Sequence, residues 1–109
     1  MSILLSNKTK EYLKRSNASN ILVDIIFIEE PCTQIYNPTL EKIKDVDLEK
    51  YKDLEKVSKG NLILYLSDWF IKMYGKLKEY QLDINGLFKK RMIIKNINPI
   101  IKNTCKVDY

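Results

Sequence analysis

The chain of 109 residues has no histidine and only two cysteines. The lack of histidine excludes the Ser-His-Asp and Cys-His catalytic pairs, a histidine general base and histidine-ligated zinc. Two cysteines do not supply the four ligands of a structural zinc site. No pair of carboxylates has a spacing that marks catalysis, so the sequence predicts no catalytic residue and no enzyme.

Long apolar segments are also absent from the chain. Residues 25–28, Ile-Ile-Phe-Ile, are far fewer than the roughly 20 apolar residues that a membrane-spanning helix needs. Residues 1–5 have neither the basic leader nor the apolar region of a signal peptide. Two widely separated cysteines do not form a disulfide-rich secreted framework either. We therefore expect a cytoplasmic protein without a membrane partner, whose thiols stay reduced.

What is present fits one globular domain. The length lies within the range of roughly 100–150 residues that is commonest for single domains. The hydrophobic fraction of 45% is enough for a core, and the charged fraction of 30% is typical of a soluble protein. We therefore expect a folded domain over residues 1–99, followed by a cysteine-bearing tail over residues 100–109.

The hydrophobic pattern predicts an α+β fold of about six or seven short strands, an N-terminal helix and one helix in mid-chain. In the first half we expect a helix capped by Ser6 and ending near Asn17, then a central strand over residues 21–28. A loop over residues 29–38 and a weak strand over residues 39–44 follow, and then a polar segment over residues 45–53.

The second half begins with a predicted hairpin that turns at Gly60 and pairs residues 54–58 with residues 62–66. We expect a helix that begins after Ser67, ends at Gly75 and buries a face formed by Trp69, Phe70 and Met73. Alternating residues 79–84 predict a half-buried strand, and Asn85 and Gly86 predict a turn. Residues 88–95 predict a last strand with Phe88, Met92 and Ile94 on its apolar face and Lys89, Arg91 and Lys95 on the other, and Pro99 ends the folded part.

Basic residues are concentrated in the last third of the chain. The net charge is +5, and the densest cluster consists of Lys89, Lys90 and Arg91, with Lys95 close behind. This cluster predicts a docking surface for an acidic protein partner. It is also typical of a solvated strand face that protects a sheet edge. Because the chain has only two arginines, and arginine is the preferred residue for recognising phosphates and bases, we do not expect a nucleic-acid partner.

The order of the elements resembles the HesB-like family, which includes the A-type iron–sulfur cluster carriers. The matching segments are residues 9–14 for the opening helix, residues 21–25 before the first cysteine loop, residues 82–88 for a late strand-turn-strand, and residues 96–99 before the tail. Cys32 stands where the family places its first ligand. The chain departs from the family in having Pro31 and no glycine in this loop, and a single tail cysteine, Cys105.

The resemblance implies a β-rich HesB-like fold and a protein that binds or carries an iron–sulfur cluster, with Cys32 and Cys105 as metal ligands. A [2Fe–2S] cluster normally takes four thiolates. Because one chain supplies two, the resemblance implies a homodimer with the cluster cofactor between its copies.

Two alternatives stay open. One is a divergent, metal-free HesB-like module that docks an acidic partner through its basic C-terminal strand. The other is a thiol redox protein in which Cys32 and Cys105 form a reversible disulfide.

Overall fold

The computed structural model describes residues 1–105, and these form an α+β domain of eight strands and three helices. The strands are β1 (Ser2–Leu5), β2 (Asn20–Glu30), β3 (Thr33–Lys42), β4 (Glu55–Lys59), β5 (Leu62–Leu66), β6 (Glu79–Asn85), β7 (Arg91–Ile94) and β8 (Ile100–Asn103). The helices are α1 (Asn7–Ser16), α2 (Leu48–Tyr51) and α3 (Asp68–Tyr74). The predicted class is confirmed. The predicted six or seven strands are close to the eight observed, but no strand was predicted at β1 or β8. The two predicted helices did not include α2.

The strands form two sheets. One has five strands in the order β4-β5-β2-β3-β8, and the other has three in the order β1-β6-β7. Strand β2 is central in the larger sheet, as its run of β-branched residues predicts, and it pairs parallel to β5 and antiparallel to β3. Strand β7 is at an edge of the smaller sheet. It contacts β3 of the larger sheet without pairing with it.

The core lies between the sheets and beneath α1 and α3. Its completely buried side chains are Tyr80, Phe70, Ile21, Leu64, Leu66, Leu82, Val23 and Thr9. Thr9 is the one polar side chain among them, and its hydroxyl donates a 3.0 Å hydrogen bond to the carbonyl oxygen of Leu82. This bond fixes α1 on β6, and so positions the basic last turn of α1 relative to the β6–β7 loop.

Several predicted elements are confirmed with their caps. The hydroxyl oxygens of Ser6 and Ser67 accept hydrogen bonds from the third residue beyond them, at 3.1 and 3.0 Å, and these bonds begin α1 and α3. Gly75 ends α3, and Gly60 allows the hairpin turn between β4 and β5 at φ +57°. These elements are predictable from sequence because each serine accepts a backbone hydrogen bond, or each glycine allows a turn, within a few residues of its own position.

The predicted loop over residues 29–38 is wrong, because β2 continues to Glu30 and β3 begins at Thr33. The two strands are joined by Pro31 and Cys32 alone, and Cys32 takes the left-handed φ of +66° that a tight hairpin turn requires. Nothing in the residue type of Cys32 indicates this conformation. Cross-strand packing supports the extended hairpin, with the rings of Phe27 and Tyr36 5.1 Å apart.

The predicted tail is also partly wrong. Strand β8 pairs antiparallel to the first half of β3, so the chain after Pro99 adds a fifth strand to the larger sheet. A four-residue edge strand has too little local signal to be recognised, and it forms here because β3 offers a free edge. Residues 106–109 of the predicted tail lie outside the described residues.

The predicted last strand is shorter than expected. Residues 86–90 form a loop, and Phe88, which we expected to face the core, is fully exposed. The pairing of Asn85 with Arg91 leaves five residues between β6 and β7. The helix face also differs from the prediction, because Phe70 is buried while Trp69 is 40% exposed.

Candidate functional site: a basic face and a cysteine pair

The basic cluster lies on the β6–β7 loop and not on a strand face, which corrects the expectation of a basic strand. Lys89 and Lys90 belong to the loop, and Arg91 is the first residue of β7. Gly86 opens this loop at φ +110°, a conformation that side-chain-bearing residues rarely adopt. A Cβ atom at this position would collide with the carbonyl oxygen of Lys89. The sharp bend at Gly86 therefore brings the loop back toward α1.

Lys90 lines three neighbouring hollows around the β6–β7 loop. The first, of about 190 Å³, lies against α1, where Lys8, Tyr12 and Arg15 form its wall. The second is larger, about 620 Å³, and lies between the loop and residues 37–41 of β3. A smaller hollow that connects these regions is lined by Tyr12, Lys42 and Arg91. Together these surfaces form one continuous concave region, which we call the basic face.

Positive charge predominates on the basic face. Its basic side chains are Lys8, Arg15, Lys42, Lys89, Lys90 and Arg91, and its acidic side chains are Glu11 and Glu41. Within residues 1–105, none of these six basic groups makes an ion pair. The face also brings together both arginines of the chain, which are 76 positions apart in sequence. Unneutralised basic groups around a concave surface attract an anionic ligand.

Lys95 is the predicted partner-binding residue that the structure does not bring to this face. It follows the other end of β7, where its backbone N–H donates to the carbonyl oxygen of Gln81 at 2.6 Å. Its positive charge acts on Asp83. Sequence analysis missed Lys8, Arg15 and Lys42. Of these, only Arg15 carried a signal, as a basic residue in the last turn of α1.

Asp83 lies between the start of α1 and strand β6. One of its carboxylate oxygens, Oδ1, accepts hydrogen bonds from the backbone N–H of Ile84 and from the hydroxyl of Ser6, both at 2.8 Å. The bond from Ile84, the bond from Ser6 and the charges of Lys95 and Lys8 lower the pKa of the Asp83 carboxyl. Asp83 therefore favours its ionised form and connects the capping residue of α1 to the smaller sheet.

We expect the stability of the protein to depend on pH through Asp83. Because folding lowers its pKa, the stabilisation is complete above the unfolded value of about 3.9 and is lost as the pH falls through the lowered pKa. Urea unfolding between about pH 2.5 and 6, with NMR titration of Asp83, measures this. The Asp83→Asn variant should lose that part of the pH dependence. Titration of Asp83 at or above its ordinary value contradicts the prediction.

The two cysteines form a disulfide between the turn of the β2–β3 hairpin and the end of β8. Their Cα atoms are 4.5 Å apart, and both residues are exposed. The backbone N–H of Thr104 donates to the carbonyl oxygen of Cys32 at 2.9 Å. This hydrogen bond extends the β3–β8 pairing up to the disulfide. Tertiary structure thus brings together two residues that are 73 positions apart in sequence.

The cysteines of this oxidised form do not fit an iron–sulfur cluster. Iron is held by thiolates, and the two sulfurs are bonded to each other. Across residues 1–105, no group of three or more cysteine, aspartate or glutamate side chains is arranged to hold a metal ion. Reduction of Cys32 and Cys105 is therefore a precondition of the metal-ligand role that the resemblance implies.

The longest helix of the described chain, α1, has 10 residues, and none of the described helices has the length and apolarity to cross a membrane.

Comparisons with known proteins provide no relative that would assign the two sites. No family model, no curated protein and no solved structure matches this chain. Membership of the HesB-like family therefore stays a prediction from the order and spacing of the elements.

Proposed function

We propose that this protein is a binding module that docks an acidic partner through the basic face. The observation that carries the proposal is the convergence of Arg15, Lys90 and Arg91 around adjoining hollows, without an ion pair to neutralise them within residues 1–105. Arginine and lysine side chains of this kind steer an oppositely charged partner and hold it by charge-assisted hydrogen bonds.

The shape of the basic face also supports binding rather than solvation alone. A solvated strand face is flat, whereas the larger hollow holds about 620 Å³ between two elements of different sheets. That volume lies within the range of about 300–1,000 Å³ that is usual for ligand pockets. The apolar side chains of Leu40 and Met92 line the hollow beside the charges, so a partner gains apolar contact as well as ion pairs.

The proposal is tested with labelled poly-L-glutamate as the acidic probe. We expect the full-length protein to bind it, and raising the salt from about 50 to 200 mM should weaken binding markedly because exposed charges are screened. A triple variant, Lys89→Gln with Lys90→Gln and Arg91→Gln, should bind about tenfold more weakly, since exposed charge pairs contribute roughly 0.2–1 kcal/mol each. Fluorescence anisotropy measures the affinity.

A matched control carries the same change of charge at exposed lysines away from the basic face: Lys50→Gln, Lys72→Gln and Lys78→Gln. The proposal requires the control to bind nearly as well as the wild type. Equal weakening of both triple variants means that net charge alone attracts the probe, and salt-independent binding means that the contact is apolar. Either result contradicts docking through the basic face.

A second candidate function is reversible thiol–disulfide exchange, and the exposed Cys32–Cys105 disulfide favours it. A dithiol reductant would break the S–S bond, leave two thiols on this chain and become a disulfide itself. In a cytoplasmic protein, the location that the sequence predicts, the pair would be kept reduced. The predicted iron–sulfur function requires this reduced state together with a second copy of the chain, because one chain supplies two of four thiolates.

A further inference from the structure

Within the proposed docking function, on which this inference rests, we propose that the acidic partner is an anionic lipid surface. The β6–β7 loop inserts Leu87 and Phe88 among the lipid headgroups, while Lys89, Lys90 and Arg91 bind the anionic groups around them. Such contact is peripheral and needs no spanning helix. The sequence predicted no membrane partner, because the chain has no long apolar segment, and it predicted Phe88 on the apolar face of a strand.

The tip of the loop is the most exposed apolar part of the described chain. Leu87 is 91% exposed and Phe88 is 101% exposed, so neither side chain packs against the rest of the domain. Exposed single apolar residues are ordinary, but two adjacent ones at the end of a bent loop form a projecting apolar tip. Because neither side chain is engaged within the domain, the tip is free to contact another surface.

Charge complementarity selects the lipid surface. Three basic residues follow the apolar tip directly, and two residues of α1, Lys8 and Arg15, line the same hollow as Lys90. The acidic side chain in this part of the face is Glu11. An apolar tip next to basic residues matches the surface of an anionic membrane, where the negative headgroups lie above the apolar acyl chains.

The shape of the loop also favours a bilayer over a protein. A protein partner would need a pocket complementary to both exposed side chains, because apolar anchors at protein interfaces fill well-packed pockets. A bilayer accepts a projecting tip without a preformed cavity. Each basic residue near an anionic membrane strengthens binding by about fivefold, so a few of them with a partly inserted tip produce reversible binding.

The test is sedimentation of the full-length protein with large unilamellar vesicles. We expect it to bind vesicles of phosphatidylcholine and phosphatidylserine in a ratio of about 7:3, and not vesicles of phosphatidylcholine alone. The double variant Leu87→Ser with Phe88→Ser should bind the anionic vesicles about thirtyfold more weakly, because partial burial of two apolar side chains is lost. Its affinity for poly-L-glutamate should be unchanged, since all the basic residues remain.

The matched control is Val46→Ser with Ile101→Ser, which removes two exposed apolar side chains that lie away from the loop. This control should bind vesicles like the wild type. Full vesicle binding by the Leu87 and Phe88 variant overturns the inference. So does a wild-type protein that binds poly-L-glutamate but no vesicles, in which case docking to an acidic macromolecule in water still stands. Failure to bind either probe removes both proposals.

Discussion

The Cys32→Ser variant, which cannot form the disulfide, is expected to have an unfolding free energy about 4 kcal/mol lower than that of the oxidised wild type. The disulfide joins residues 73 positions apart, and a crosslink that closes a loop of this length removes much of the conformational entropy of the unfolded chain. Strand β8 is joined to the larger sheet by four residues and by this bond. The loss should therefore be accompanied by faster amide exchange in β8.

Urea unfolding with and without a reductant measures the effect, with NMR amide exchange of β8 as the second readout. The control is reduced wild-type protein, which should be as stable as Cys32→Ser under the same conditions. Cys105→Ser should match Cys32→Ser, and the double variant should lose nothing further, because all three remove one bond. Equal stability of the oxidised and reduced wild type contradicts the prediction.

The same reduced protein allows the iron–sulfur prediction to be tested directly. If the resemblance to the HesB-like family extends to function, anaerobic reconstitution with iron and sulfide should load about one iron per chain in a dimer, and Cys32→Ala should abolish loading. Reduced chain that stays colourless and monomeric under these conditions removes the cluster function. The basic face is unaffected by either result, because neither cysteine lines it.

Replacing Phe70 with alanine should cost about 4 kcal/mol, the second of the two largest effects. Phe70 is 0% exposed, and the centroid of its ring lies 5.2 Å from the ring centroid of Tyr74 and 6.5 Å from that of Tyr80. It joins α3 to the core between the sheets. Removal of this ring leaves a cavity that neighbouring side chains fill only in part, so the loss combines transfer and cavity contributions.

The matched control is Trp69→Ala, the neighbouring residue on the same helix. Trp69 is 40% exposed, and its ring is nearly perpendicular to that of Tyr36, with the ring centroids 6.1 Å apart. Its removal should therefore cost about 1 kcal/mol. Urea unfolding of both variants, under oxidising conditions, measures the difference. Similar losses for the two variants would mean that Phe70 is not the core residue of α3. If Phe70→Ala does not fold, Phe70→Leu, with an expected loss of about 1.5 kcal/mol, replaces it.

The sequence was sufficient wherever local chemistry decides the conformation. Ser6 and Ser67 begin helices because their hydroxyl groups accept backbone hydrogen bonds three residues ahead. Gly60 marks a hairpin turn, and the alternation around Tyr80 and Leu82 marks a half-buried strand. For these elements the partners of the backbone lie nearby in sequence, or the side-chain period itself specifies which face is buried.

Tertiary structure alone decided the rest. Residues 33–38 are extended because β2 offers them a full ladder of pairs, and Ile100–Asn103 is a strand because β3 offers its edge. The basic face was only half visible in the sequence, since Lys8 and Arg15 come to Lys90 through the docking of α1 on β6. Composition determined that the protein uses no histidine chemistry, and the fold determined which charges and cysteines meet. Contacts between distant residues depend on the packing of whole elements, which no local pattern contains.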